Sequence, residues 1–93
     1  MNRPEVNYEM LEWAKIKIGE TQELAIAKHS RGAFRSVFEI NQQLRKQFQQ
    51  LRQAQDEFDP TYTNLNEYAK QLAQIGQLAV FGLASIETWE GKK

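Results

Sequence analysis

Between Asp59 and Glu90 the chain reads DPTYTNLNEYAKQLAQIGQLAVFGLASIETWE, and apolar residues return along it every three or four positions. Leu65, Tyr68, Leu72, Ile75, Ala79, Gly82, Ile86 and Trp89 make one stripe, and Ala69, Ala73, Gly76, Val80 and Leu83 make a second beside it. A helix that is apolar on two adjacent faces needs a neighbour on each, so this stretch is predicted to be the central helix of a bundle. Asp59 suits the N-cap and Pro60 the first helical position, where a missing N–H costs nothing; Gly91 suits the stop. A glycine inside a helix costs about 1 kcal/mol relative to alanine. Gly76 and Gly82, with Ala79 between them, therefore predict the close approach of another backbone or a bulky ring, with Trp13, Phe34 and Phe48 as candidates.

Upstream, residues 1–29 read as one helix or two short ones. Pro4 and Glu5 suit a first turn, and Met10, Leu11, Trp13, Ala14 and Ile18 can share a broad apolar face. Gly19 interrupts, and Thr21 could cap a new turn that holds Leu24, Ala25 and Ile26. The alternation Lys15-Ile16-Lys17-Ile18 also allows a short hairpin around Gly19, but a lone hairpin needs partners that the rest of the chain lacks. His29-Ser30-Arg31-Gly32 is a break, after which Ser30 can cap a helix over 33–58 that contains neither glycine nor proline. Its expected seam is Phe34, Val37, Asn41, Leu44, Phe48, Leu51, Gln55 and Phe58. Asn41 and Gln55 there are either buried, fixing register or oligomeric state, or wet at the margin of the core. The short break from Asp56 to Thr61 makes the second and third helices antiparallel neighbours.

The expected fold is thus all-α, a single helical domain over residues 1–93. It is a three-helix bundle, or a long helical hairpin with a bent N-terminal helical segment. A core this small, with polar seam positions and a two-faced third helix, also predicts self-association.

The chain has no cysteine, so thiol catalysis, disulfides and thiolate metal sites are excluded, and a reducing cytoplasm suits it. The start MNRPEVNYEM lacks the apolar core of a signal peptide, and the longest apolar run, Leu78 to Ile86, falls far short of the roughly 20 residues a membrane span needs. A soluble, cytoplasmic protein is expected. The single histidine, His29, has no serine or threonine partner at a catalytic spacing and reads as the polar end of the first helix. Glu9 with Glu12 and Glu20 with Glu23 share helix faces but lack the histidine ligands of a di-metal bundle, and Asp56, Glu57 and Asp59 lack the order of a calcium loop. No enzyme activity, metal or cofactor is expected. Trp89-Glu90-Gly91 matches a Trp-x-Gly triplet, but at the end of a helix rather than in a turn between two.

Formal charge is zero, yet it is unevenly placed. Residues 28–53 carry Lys28, Arg31, Arg35, Arg45, Lys46 and Arg52 against Glu39 alone, while the segments on either side are net acidic. Lys28, His29, Ser30, Arg31 and Arg35 cluster at the expected start of the second helix, with Arg45 and Arg52 following at multiples of seven from Arg31. Free N–H groups, a helix dipole and arginine forks together suit an anion. These residues either bind a phosphorylated ligand or nucleic acid, or pair with the acidic first helix. The leading expectation is a small non-enzymatic interaction protein, an accessory subunit or an inhibitor of bacterial or phage origin. It would present a helix face to a protein partner.

Overall fold

The computed structural model describes residues 3–56 and 65–89. Three helices follow one another: α1 (Tyr8–His29), α2 (Val37–Asp56) and α3 (Leu65–Trp89). α3 packs against both α1 and α2, which do not pack against each other. The central place expected for α3 is therefore the place it occupies. The expected caps Asp59, Pro60 and Gly91 lie outside the described residues.

α1 starts later than Pro4 and Glu5 suggested. Asn7 is its N-cap, accepting from the Met10 N–H at 2.9 Å. The helix then runs unbroken through Gly19. Neither the hairpin nor a second cap forms: the Thr21 hydroxyl donates to the Lys17 carbonyl one turn back, at 2.8 Å. α1 ends at Ser30, whose N–H still reaches the Ile26 carbonyl at 2.8 Å and whose φ of 94° then turns the chain out of the helix. Ser30 thus closes the first helix and does not open the second. Its hydroxyl accepts from the Gly32 N–H at 3.2 Å.

The second helix begins four residues after the expected Ala33, and the reason lies on α3. The Phe34 N–H donates to the Ser85 hydroxyl at 3.0 Å, and the Phe34 carbonyl accepts from the Trp89 indole N–H. A backbone held at both its polar groups by another element is not free to join a helix. Ser36 becomes the cap instead, accepting from the Glu39 N–H at 3.2 Å while the Glu39 carboxylate accepts from the Arg35 N–H at 2.7 Å. This is a reciprocal capping pair.

The face that α2 turns to α3 also differs from the expected seam. Val37 and Phe48 are 59% and 51% exposed, and Asn41 is exposed as well. The residues at helical spacing that are partly covered are Ile40, Gln43, Leu44, Gln47, Leu51 and Ala54. Only Leu44 and Leu51 belong to both sets. Asn41 is wet, as one of the two alternatives held; Phe58 and the Gln55 side chain lie outside the described residues. The polar member of the true seam is Gln47. It donates to Gln71 of α3, which in turn donates to Glu67 at 2.7 Å.

Helix directions follow from these pairs. Phe34 meets Phe81 edge-on at 5.2 Å between ring centroids, Ile40 lies over Gly82, and Gln47 bonds Gln71, so α2 runs antiparallel to α3. α1 crosses with Ile18 over Gly76 and ends beside the Phe81 region, running the same way as α3. Both glycines do admit a close neighbour, but the fillers are isoleucines rather than rings. A Cβ on Gly76 would lie 2.7 Å from Ile18 Cδ1, and one on Gly82 would lie 3.3 Å from Ile40 Cδ1. Trp13 and Phe48 stay on the outside.

The result is an open molecule. Its Cα radius of gyration is 15.6 Å, against about 12 Å for a compact domain of this length. Among the described residues Leu78 is the one large apolar side chain classed as buried, alongside Gln77, Gly82 and Ser85 in the middle of α3.

Candidate functional site

Because α1 and α2 meet α3 without meeting each other, a groove is left between them with α3 as its floor. Its volume is about 620 Å³. The last turns of α1 supply Leu24, Ala25, Ile26, Lys28 and His29 to one wall, and α2 supplies Gln43, Lys46 and Gln47 to the other. Gln74, Gln77, Leu78 and Phe81 form the floor. Amides and cations dominate the polar lining, and among the described residues no carboxylate reaches it.

Gln77 is the unusual residue. It is only 6% exposed, yet its side-chain amide has no hydrogen-bond partner among the described residues. Its polar atoms are not sealed in protein, so what access they retain is to the groove.

The residues singled out by the sequence divide into two groups. Lys28, His29 and Ser30 line the groove. Arg31 and Arg35 stand exposed on the connection between α1 and α2, and Arg45 and Arg52 on exposed positions of α2. Since α2 starts at Val37, Arg31 is not on that helix and the expected row of arginines seven apart is not a helix face. At the start of α2 the Ser36 hydroxyl accepts from the Glu39 N–H, and the Glu39 carboxylate accepts from the Arg35 N–H just outside the helix. The expected pairing of these cations with Glu9 or Glu12 is not made either. Among the described residues the ion pairs are Lys15 with Glu12 at 3.2 Å and Lys17 with Glu20 at 3.5 Å, both within α1 and exposed. Lys46, Gln43, Gln47, Gln74 and Gln77 were missed. Their signal was available in the four-residue step of Gln43 and Gln47 and the three-residue step of Gln74 and Gln77.

On the other side of α3 lies apolar surface. Leu65, Leu72 and Leu83 are 60%, 49% and 69% exposed, and with exposed Ala79 they follow one line along the helix. α1 adds Met10, Leu11, Trp13 and Ile16, all exposed. A cleft of about 500 Å³ between α1 and α3, lined by Trp13, Ile18, Leu24, Ala69, Leu72 and Ala73 among others, continues this surface. Lys17 lies 5.7 Å from the Trp13 ring centroid at its edge.

Among the described residues no helix is long and apolar enough to cross a membrane, and no three potential metal ligands of the His, Cys, Asp or Glu types come together. No family model matches the chain, and no curated protein or solved structure matches it. Function is therefore read from these surfaces.

Proposed function

We propose that this is a non-enzymatic interaction protein that works through the outer apolar face of α3 and α1, assembling with further copies of itself and with a protein partner as an accessory subunit or inhibitor. The observation that carries the reading is the line Leu65, Leu72, Ala79 and Leu83, left exposed on a helix whose own buried core is a few residues long. Leu65, Leu72 and Ala79 are spaced by seven, with Leu83 four further on, the spacing at which one helix meets another along a seam. Burial of such side chains contributes about 1.5–3 kcal/mol each, so four or five of them supply the free energy of a stable interface. The cytoplasm suits a chain without cysteine.

Sedimentation velocity across a concentration series tests this. The expected result is an oligomer at micromolar concentration that becomes monomeric in the Leu72→Glu/Leu83→Glu variant, with helicity retained. A wild-type chain that sediments as a monomer at high micromolar concentration would refute the self-association.

A further inference from the structure

We propose that the groove between α1 and α2 is a binding site for a small oxyanion, a carboxylate- or phosphate-bearing molecule whose other polar groups are read by glutamine amides. The first support is Gln77: an amide nine-tenths buried, without a hydrogen-bond partner among the described residues and open to the groove floor, offers its donors and acceptor to whatever enters there. The second is the sign of the lining. Lys28 and Lys46 stand on opposite walls, with His29 next to Lys28, and among the described residues no carboxylate lines the groove. Neither lysine is neutralised by an ion pair among the described residues. Two like charges facing one polar cavity repel each other and are relieved by an anion between them.

The third support is chemical fit. Gln43 and Gln74, from facing helices, add N–H donors and carbonyl acceptors beside the charges, so a ligand that carries hydroxyl, amide or ring nitrogen groups next to its oxyanion meets both. A volume of about 620 Å³ lies within the range of small-molecule sites, roughly 300–1,000 Å³. The carbonyl end of α1 opposes an anion, and Lys28 in that last turn offsets it. This site differs from the start of α2, where the Glu39 carboxylate accepts from the Arg35 N–H. It also lies across α3 from the apolar line, so it stands or falls independently of self-association.

The test is a titration of the full ¹⁵N-labelled chain at constant ionic strength with inorganic phosphate, citrate and AMP, followed through the glutamine side-chain amide signals. The expected result is a saturable shift of the Gln77 amide with at least one of the three. Phosphate or AMP acting alone marks a phosphate ligand, and citrate acting alone marks a carboxylate. Lys46→Gln, an exposed change, is expected to weaken that affinity about tenfold or more. Gln77→Leu, with its melting temperature measured beside it, is expected to do the same. Shifts that rise linearly without saturation, or an affinity unchanged in Lys46→Gln, would overturn the proposal. So would a poly-glutamate peptide that shifts these amides when none of the three small anions does.

Discussion

The two packing seams of α3 are built on the same plan and differ in what locks them. In each, an isoleucine crosses a glycine, Ile18 over Gly76 and Ile40 over Gly82. The α2 side adds polar cross-links: Ser85 to the Phe34 backbone, Trp89 to the Phe34 carbonyl and Gln47 to Gln71. Among the described residues no hydrogen bond crosses from α1 to α3. α1 also leaves much of its apolar surface uncovered, with Trp13 and Ile16 more than half exposed. Van der Waals contact sets how near two helices come, but directional bonds set which register they hold. α2 has both; α1 has the first alone and carries the surface that another molecule can cover.

The strongest way to break this contrast is to wedge each seam. Gly82→Leu drives a side chain into Ile40 and forces apart a seam that also loses its hydrogen bonds, so the expected loss is about 2–3 kcal/mol. Gly76→Leu displaces Ile18 and releases α1, with an expected loss of about 1–2 kcal/mol. Urea denaturation gives the magnitudes, and native-state hydrogen exchange gives the location. Amides of α2 and α3 should stay protected in Gly76→Leu and lose protection in Gly82→Leu. Equal losses spread over all three helices would erase the distinction.

Ser85→Ala sharpens it. Ser85 is 2% exposed and accepts from Phe34 N while donating to the Phe81 carbonyl at 2.9 Å. Removing the hydroxyl orphans the Phe34 N–H, at a cost of about 1–3 kcal/mol. Thermal melts should show the loss, and exchange should show it as fraying at the start of α2 while α1 is unchanged. The smallest effect is expected at Gly19. Nothing lies within 4 Å of a Cβ added there, so Gly19→Ala should raise stability by about 0.5–1 kcal/mol through helix propensity alone. The gain should be confined to α1 protection; a loss would mean that Gly19 faces a neighbour.

The central position of α3 was legible because two stripes on one helix leave no other arrangement, and the two interior glycines marked the crossing points. The face of α2 was not. Its sequence offers two interleaved heptads, one through Val37 and Phe48 and one through Ile40 and Gln47, and aromatic content favoured the wrong one. The observed face carries Ile40 over Gly82 and the hydrogen bond from Gln47 to Gln71, and a pairing of two half-buried glutamines cannot be read from periodicity. The start of α2 was misplaced for a related reason: Ser85 and Trp89 capture the Phe34 backbone from about fifty residues away. Of the groove, Lys28, His29 and Ser30 were found by charge clustering. Gln77 was hidden because its importance lies in a missing partner.

The placement of the shared helix last in the described order has a consequence for synthesis on the ribosome. α1 and α2 emerge first, and they make no packing with each other. Among the described residues, every helix-to-helix contact that either of them makes is with α3. At about 5–20 residues per second, the nascent chain spends seconds with two helical segments and no core to enter, their apolar side chains open to chaperones or to a neighbouring nascent chain. Folding is therefore post-poned to a single late event, the arrival of the last turns of α3, when Ser85 and Trp89 reach back to Phe34 and fix the second helix in place.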